Sequence, residues 1–247
     1  MTTVVQDKGT VIVTGASRGI GAAIAERLAD DGYGVIVNYA ADASGAESVA
    51  SAINAKGGRA AAMRADVRSE ADVVAMFDRA AELMGPITGL VNNAGEIGAQ
   101  AHMDEQQADV LNRLTQVNIL GPMLCSKQAV RALSTARGGP GGSIVTIASV
   151  VAKAPAGVDG VVPYEATKGA MVTFARGLAN EVASEGIRSN SVSPGVIDTE
   201  MGVRELVDLI PLGRMGRPDE IAATVSWLIS PEASFVTGSD ISVTGGM

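Results

Sequence analysis

Seven short aliphatic runs recur along the chain, and each of the first six is followed by a stretch of helical periodicity. TVIVTG (10–15), GVIVNY (34–39), RAAAMRAD (59–66), ITGLVNNAG (87–95), GGSIVTIAS (141–149), IRSNSVSPG (187–195) and SDISVTGG (239–246) read as strands. Most are β-branched, nearly continuous and closed by turn residues. Helices are predicted over 19–31, 44–56, 69–84, much of 104–135, 163–185 and 218–229. Such alternation implies parallel strands, because a helix returns the chain across the sheet before the next strand begins. Right-handed crossovers place helices on both faces, and apolar runs without polar alternation suit a sheet covered on both sides. The expected fold is a doubly wound parallel α/β sheet of about seven strands. GGPGG (138–142) reads as a loop, and residues 1–247 read as one domain.

Composition removes several chemistries. The chain has one histidine, His102, and one cysteine, Cys125. A zinc site of several His or Cys ligands and an internal disulfide are therefore excluded. The net charge of −8 argues against a nucleic-acid binder, which needs a basic face. No long uncharged apolar run reads as a membrane span, and MTTVVQDKG lacks the features of a signal peptide. A cytoplasmic location is expected. His102 reads as a surface-loop residue, with the substrate mouth as the alternative, Cys125 as a small buried apolar residue, and Trp227 as core or interface filler.

The sharpest local signal is the turn Thr14-Gly15-Ala16-Ser17-Arg18-Gly19-Ile20-Gly21, between the first strand and the first helix. Glycines permit a tight turn and close backbone approach, and a helix N-terminus offers free N–H groups to a pyrophosphate. The sequence then resembles the short-chain dehydrogenases/reductases. The resemblance rests on TGASRGIG, Asp66-Val67, Asn92-Asn93-Ala94-Gly95, Asn118, Ser149, Tyr164-x-x-x-Lys168 and Pro194-Gly195, in the family's order. It implies a Rossmann-type, NAD(P)-binding catalytic domain.

Asn38, at the end of the second strand, carries no charge where an acidic residue would favour NAD(H), and Arg18 offers a guanidinium suited to a 2′-phosphate. NADP(H) is expected over NAD(H). By resemblance the cofactor is held by Gly15, Ser17, Arg18, Gly19, Ile20, Gly21, Asn38, Tyr39, Asp66, Val67, Asn92, Ala94, Gly95, Tyr164, Lys168, Pro194, Gly195, Ile197 and Thr199. Asp66 would accept from the adenine amino group, and Pro194-Gly195 would lie against the nicotinamide.

Tyr164 and Lys168 share one helix face, one turn apart. A nearby ammonium lowers a phenol's pKa, so Tyr164 suits proton transfer to or from a substrate oxygen. Ser149 ends the fifth strand and supplies a donor for that oxygen. By resemblance, Lys168 also binds the nicotinamide ribose. Asn118 bends its helix and relays protons through a water, or it braces the backbone; both readings stand. No metal is needed. The implied activity interconverts a carbonyl and a secondary alcohol on a small molecule, in a homo-tetramer. A non-catalytic NADP-binding sensor is the alternative, and an epimerase or dehydratase is a third reading. Val150–Pro163 and the stretch after Gly195 are expected to wall the substrate pocket. GVDG (157–160) looks like an insertion there, and Glu185 weakens a carrier-protein reading that Arg131, Arg137 and Arg176 would otherwise serve.

Overall fold

The computed structural model describes residues 8–153, 159–202 and 204–247. Seven parallel strands form one sheet in the order β3-β2-β1-β4-β5-β6-β7. The strands are β1 (Thr10–Val13), β2 (Gly34–Tyr39), β3 (Arg59–Arg64), β4 (Ile87–Asn92), β5 (Gly142–Ile147), β6 (Ile187–Pro194) and β7 (Asp240–Val243). The helices are α1 (Gly19–Asp30), α2 (Ala43–Ala55), α3 (Glu70–Met84), α4 (Ala108–Thr115), α5 (Gly121–Leu133), α6 (Val162–Val182) and α7 (Pro218–Ile229). A π-helical turn, Gln116–Leu120, joins α4 to α5, so the long helix read from the sequence is continuous but locally widened.

Strand pleating divides the apolar residues between two faces. Val11 and Val13 of β1 join one core with Ile24 and Leu28 of α1, Ile53 of α2, and Ile221, Val225 and Leu228 of α7. Ile12, between them, joins the other with Phe77 of α3, Leu133 of α5 and Val182 of α6. The chain's direction of travel reverses at β1. The strands β2 and β3 extend to one side and β4 to β7 to the other. This opens a crevice beyond the carboxyl ends of the strands. Cys125 is fully buried, and dehydration pushes its thiol up to about 12. Trp227 is not core: it is 38% exposed on α7.

A cation closes α7. Arg188 of β6 donates from Nη2 to the carbonyls of Leu228 at 2.7 Å and Ser230 at 3.2 Å, and from Nη1 to Val236 at 3.3 Å. These satisfy carbonyls that the helix end leaves without partners, at the negative end of its dipole. Arg188→Met is expected to destabilise the protein by about 2 kcal/mol. Thermal unfolding should show a midpoint lower by roughly 5 °C; an unchanged midpoint contradicts this role.

Candidate active site

The first strand stops at Val13, level with Val37 of β2 and Val91 of β4, while both neighbours continue. The chain leaving β1 keeps two backbone bonds, from the Thr14 N–H to the Val91 carbonyl at 3.0 Å and from the Ala16 N–H to the Asn38 carbonyl at 2.8 Å, and two asparagine side chains hold the groups between. Asn38 Oδ1 accepts from the Gly15 N–H at 3.3 Å, and its Nδ2 donates to the carbonyls of Met63 and Ala65. Asn93 Nδ2 donates to the carbonyls of Thr14 at 3.0 Å and Gly15 at 2.9 Å. Thr14 Oγ1 accepts from the N–H groups of Asn93 and Ala94, both at 3.0 Å. Gly15 and Gly19 have φ of +60° and +57°, which favours glycine. A Cβ on Gly21 would lie 2.5 Å from both Asn93 Nδ2 and the Gly15 carbonyl. Gly21 therefore serves contact within the turn and with the β4 loop, rather than helix–strand packing.

The turn delivers α1 with no side-chain cap and no acid in its first turn, whereas Asp42 and Ser69 cap α2 and α3. Its amino end borders a cavity of about 840 Å³ along the carboxyl edge of the sheet. The glycine turn, Tyr39, Gly95, Pro194, Gly195, Ile197 and Thr199 line it, and Ser149, Tyr164 and Lys168 line its other end. An open cradle of glycine backbone and free helix N–H groups fits a dinucleotide pyrophosphate.

Several expected contacts fall elsewhere. Asn38 lies buried beneath the turn, and Tyr39 lines the cavity; the one-residue offset reverses the face of the strand. Asp66 does not line the cavity. Arg68 grips its carboxylate at 2.6 Å and 2.9 Å and holds it below its usual pKa. Val67 is buried, and a Cβ on Gly121 would meet it at 2.7 Å. Asn92 donates to Ser126 Oγ at 3.0 Å, tying β4 to α5, and Ala94 packs on Gly15. Asn93, not Asn92 or Ala94, is the cavity-lining asparagine-loop residue beside Gly95. Asp42 also lines the cavity, a residue the motifs did not single out; its carboxylate accepts from the Gly45 N–H at 3.0 Å. Arg18 faces Glu200 at 3.3 Å, with the two side chains 68% and 75% exposed. An ion pair so exposed contributes little, so exchanging it for a phosphate costs little.

At the other end, Tyr164 and Lys168 stand on α6 as their spacing requires, the ammonium 5.6 Å from the ring centroid. Lys168 Nζ donates to the Ile147 carbonyl at 2.9 Å, and burial lowers its pKa to about 8. The expected lowering of Tyr164 by Lys168 is not found. Burial raises the phenol's pKa, and the Ser149 hydroxyl bond draws it part of the way back. The phenol thus keeps its proton in this state. Asn118 braces the β4 loop against α6: Oδ1 accepts from the Glu96 N–H at 3.0 Å, and Nδ2 donates to the Glu96 carbonyl at 2.8 Å and Thr167 Oγ1 at 3.0 Å, bonds compatible with a relay as well. A Cβ on Gly95 would lie 3.4 Å from Asn118 Oδ1 and 3.5 Å from Lys168 Nζ, so this loop residue stands in ordinary contact distance of both. His102 is exposed, bonded to Asp104 and absent from the cavity wall. Of GVDG, Gly157 and Val158 lie outside the described residues, as do residues 154–156 of the segment expected to wall the pocket. The Gly160 carbonyl accepts from the Ala101 N–H at 3.2 Å.

Comparison with known proteins identifies the family. Residues 15–247 match a family described as enoyl-(acyl carrier protein) reductase. The uncharacterized oxidoreductase YgfF of Escherichia coli is 41% identical over 243 residues, covering 95% of this chain and 98% of its own. A short-chain dehydrogenase/reductase from Serratia marcescens superposes with a TM-score of 0.90 at 35% identity, covering 97% of this chain and 98% of its own. The chain belongs to the short-chain dehydrogenases/reductases. Another similar structure is a blue fluorescent protein from a metagenomic library in complex with NADPH, with a TM-score of 0.89, 35% identity, and coverage of 97% and 98%. Membership makes this an oxidoreductase of small molecules on a Rossmann-type fold. No helix among the described residues is long and apolar enough to cross a membrane.

The burial of Lys168 makes a pH prediction. Its folded pKa lies below the 10.5 of the free side chain, so the ammonium is lost as pH rises through about 8. The resemblance implies that this ammonium holds the nicotinamide ribose; on that reading its loss should lower cofactor affinity by roughly tenfold between pH 7 and 9.5. Fluorescence titration would show this in the wild type and a flat profile in Lys168→Met. A wild-type profile as flat as the variant's contradicts it.

Proposed function

We propose that the protein is an NADP(H)-dependent oxidoreductase that interconverts a carbonyl and a secondary alcohol. One observation carries the reading: Ser149, Tyr164 and Lys168 meet at one end of a cavity whose other end is the uncapped start of α1. Backbone N–H groups of the glycine turn hold the pyrophosphate, and Lys168 holds the nicotinamide ribose. The bound nicotinamide supplies or accepts the hydride. Ser149 donates to the substrate oxygen, and Tyr164 gives that oxygen its proton in reduction or withdraws it in oxidation. Lys168 places a positive charge beneath the phenolate left behind.

Preference for NADP(H) rests on three features. Arg18 is exposed at the turn, Tyr39-Ala40-Ala41 brings no acid to the cavity, and Asp42 is committed to capping α2. The NADPH complex of the similar fluorescent protein is consistent with this. A cytoplasmic setting and a homo-tetramer complete the proposal, on the family resemblance. Activity with NADPH is expected to exceed that with NADH by roughly tenfold or more in kcat/KM. Tyr164→Phe should bind NADPH as the wild type does and lose about 10²–10⁴-fold in turnover. Unchanged turnover would reject the mechanism; NADPH binding by a wild type that turns over no carbonyl would leave a cofactor sensor as the better reading.

A further inference from the structure

A nearly buried carboxylate stands in the strands beside the reacting end, and Asp240, which carries it, does not line the cavity. β6 and β7 pair with Ser191 opposite Asp240 and Ser193 opposite Ser242. Alternate residues of a strand share a face, so these four polar side chains form one patch on the sheet. Ser191 and Ser193 are buried, and the Asp240 side chain is only 10% exposed. Asp240 accepts from Ser191 Oγ at 2.7 Å and from Ser193 Oγ at 2.8 Å and 3.0 Å. Its counter-ion comes from another part of the chain. Lys153 Nζ lies 2.6 Å from the carboxylate and donates to Ser242 Oγ at 2.9 Å. A carboxylate so buried depends on that cation, because only a close counter-ion with the remaining lone pairs satisfied offsets its lost water.

Lys153 stands one helical turn beyond Ser149. Ala148 is still bonded to the sheet, its N–H donating to the Val192 carbonyl of β6 at 2.8 Å. The chain then turns away. The Ser149 carbonyl accepts from the Ala152 N–H and the Val150 carbonyl from the Lys153 N–H, both at 3.0 Å. The turn is thus a short bridge, bonded to β6 at Ala148 and tied through Lys153 to β7. Ser149 sits on it, and its hydroxyl bonds the Tyr164 phenol. Val150 and Val151, on the same turn, line the cavity. Hydrogen bonds weaken steeply with misalignment, and a displacement of about 1 Å that begins far from the chemistry can cost roughly 10²-fold in rate.

We infer that Lys153 is a positioning residue: its ion pair with Asp240 fixes the 149–153 turn and so holds the Ser149 hydroxyl against Tyr164. Lys153 does not line the cavity, so it acts through Ser149. The consequence for turnover rests on the reading of Ser149 and Tyr164 as a carbonyl site; the tie itself does not.

The phenol reports on the tie without turnover. The protein has three tyrosines, and loss of one signal in Tyr164→Phe identifies Tyr164. With carbon-13 at tyrosine Cζ, NMR at neutral pH reads the hydrogen bonding of that phenol. Ser149→Ala marks where the signal lies when the Ser149 bond is gone. Lys153→Met should move the signal most of the way to that mark, and Lys153→Arg should leave it at the wild-type position. Asp240→Asn should move it in the same direction as Lys153→Met. It leaves no unpaired buried anion, so it decides the matter if Lys153→Met does not fold. A direct field effect would give these two variants opposite signs, because one removes a positive charge and the other a negative one. NADPH affinity should stay within about twofold throughout. Reduction of cyclohexanone should fall about tenfold in Lys153→Met and recover in Lys153→Arg. An unmoved signal in Lys153→Met or Asp240→Asn, opposite signs in the two, or a Ser149→Ala signal identical to the wild type's overturns the inference. A wild type that reduces no carbonyl overturns the reductase reading alone, and the Tyr164 signal still judges the tie.

Discussion

The site depends on how the chain leaves β1. A turn that departs from the middle of a parallel sheet strands its own backbone polar groups, and buried groups of that kind must find partners. Asn38 and Asn93, from the two flanking strands, provide them at Gly15 and Thr14, and Thr14 Oγ1 returns two bonds to the β4 loop. The turn is thus held from both sides of β1. The first N–H groups of α1 are left without a side-chain cap and border the cavity. The same loop carries Gly95, which stands beside Lys168 and Asn118.

At the reacting end, burial governs charge. Lys168 is easier to deprotonate than a free lysine and Tyr164 harder than a free tyrosine, because dehydration penalises both ions. The protein alone therefore holds a protonated phenol beside a weakened ammonium, and that phenol borders the cavity where a proton would be exchanged. The chain's only histidine stands on the surface and its only cysteine is sealed in the core, so neither competes for that role.

Much of this was legible in the sequence. All seven strands and the helix pattern follow from aliphatic runs and Gly stops, because a sheet covered on both faces leaves a strong signal. Tyr164, Lys168 and Ser149 were readable because strand ends and a four-residue helix spacing fix their placement. The support layer was not. Whether Asn38 or Tyr39 faces the cavity depends on a one-residue phase in β2. The grip of Arg68 on Asp66 competes with a ligand contact that spacing alone allows. Lys153 with Asp240, Arg18 with Glu200, and Arg188 with the end of α7 join residues far apart in the chain, and no local pattern announces them.

The central claim is that a hydride reaches a carbonyl carbon held by Ser149 and Tyr164. Reduction of cyclohexanone with NADPH deuterated at the transferring position of the nicotinamide tests it directly. The account predicts an alcohol carrying one deuterium at the carbinol carbon, seen by mass spectrometry with the wild type and nearly absent with Tyr164→Phe. An alcohol without deuterium, or equal deuterated product from the two proteins, would contradict it.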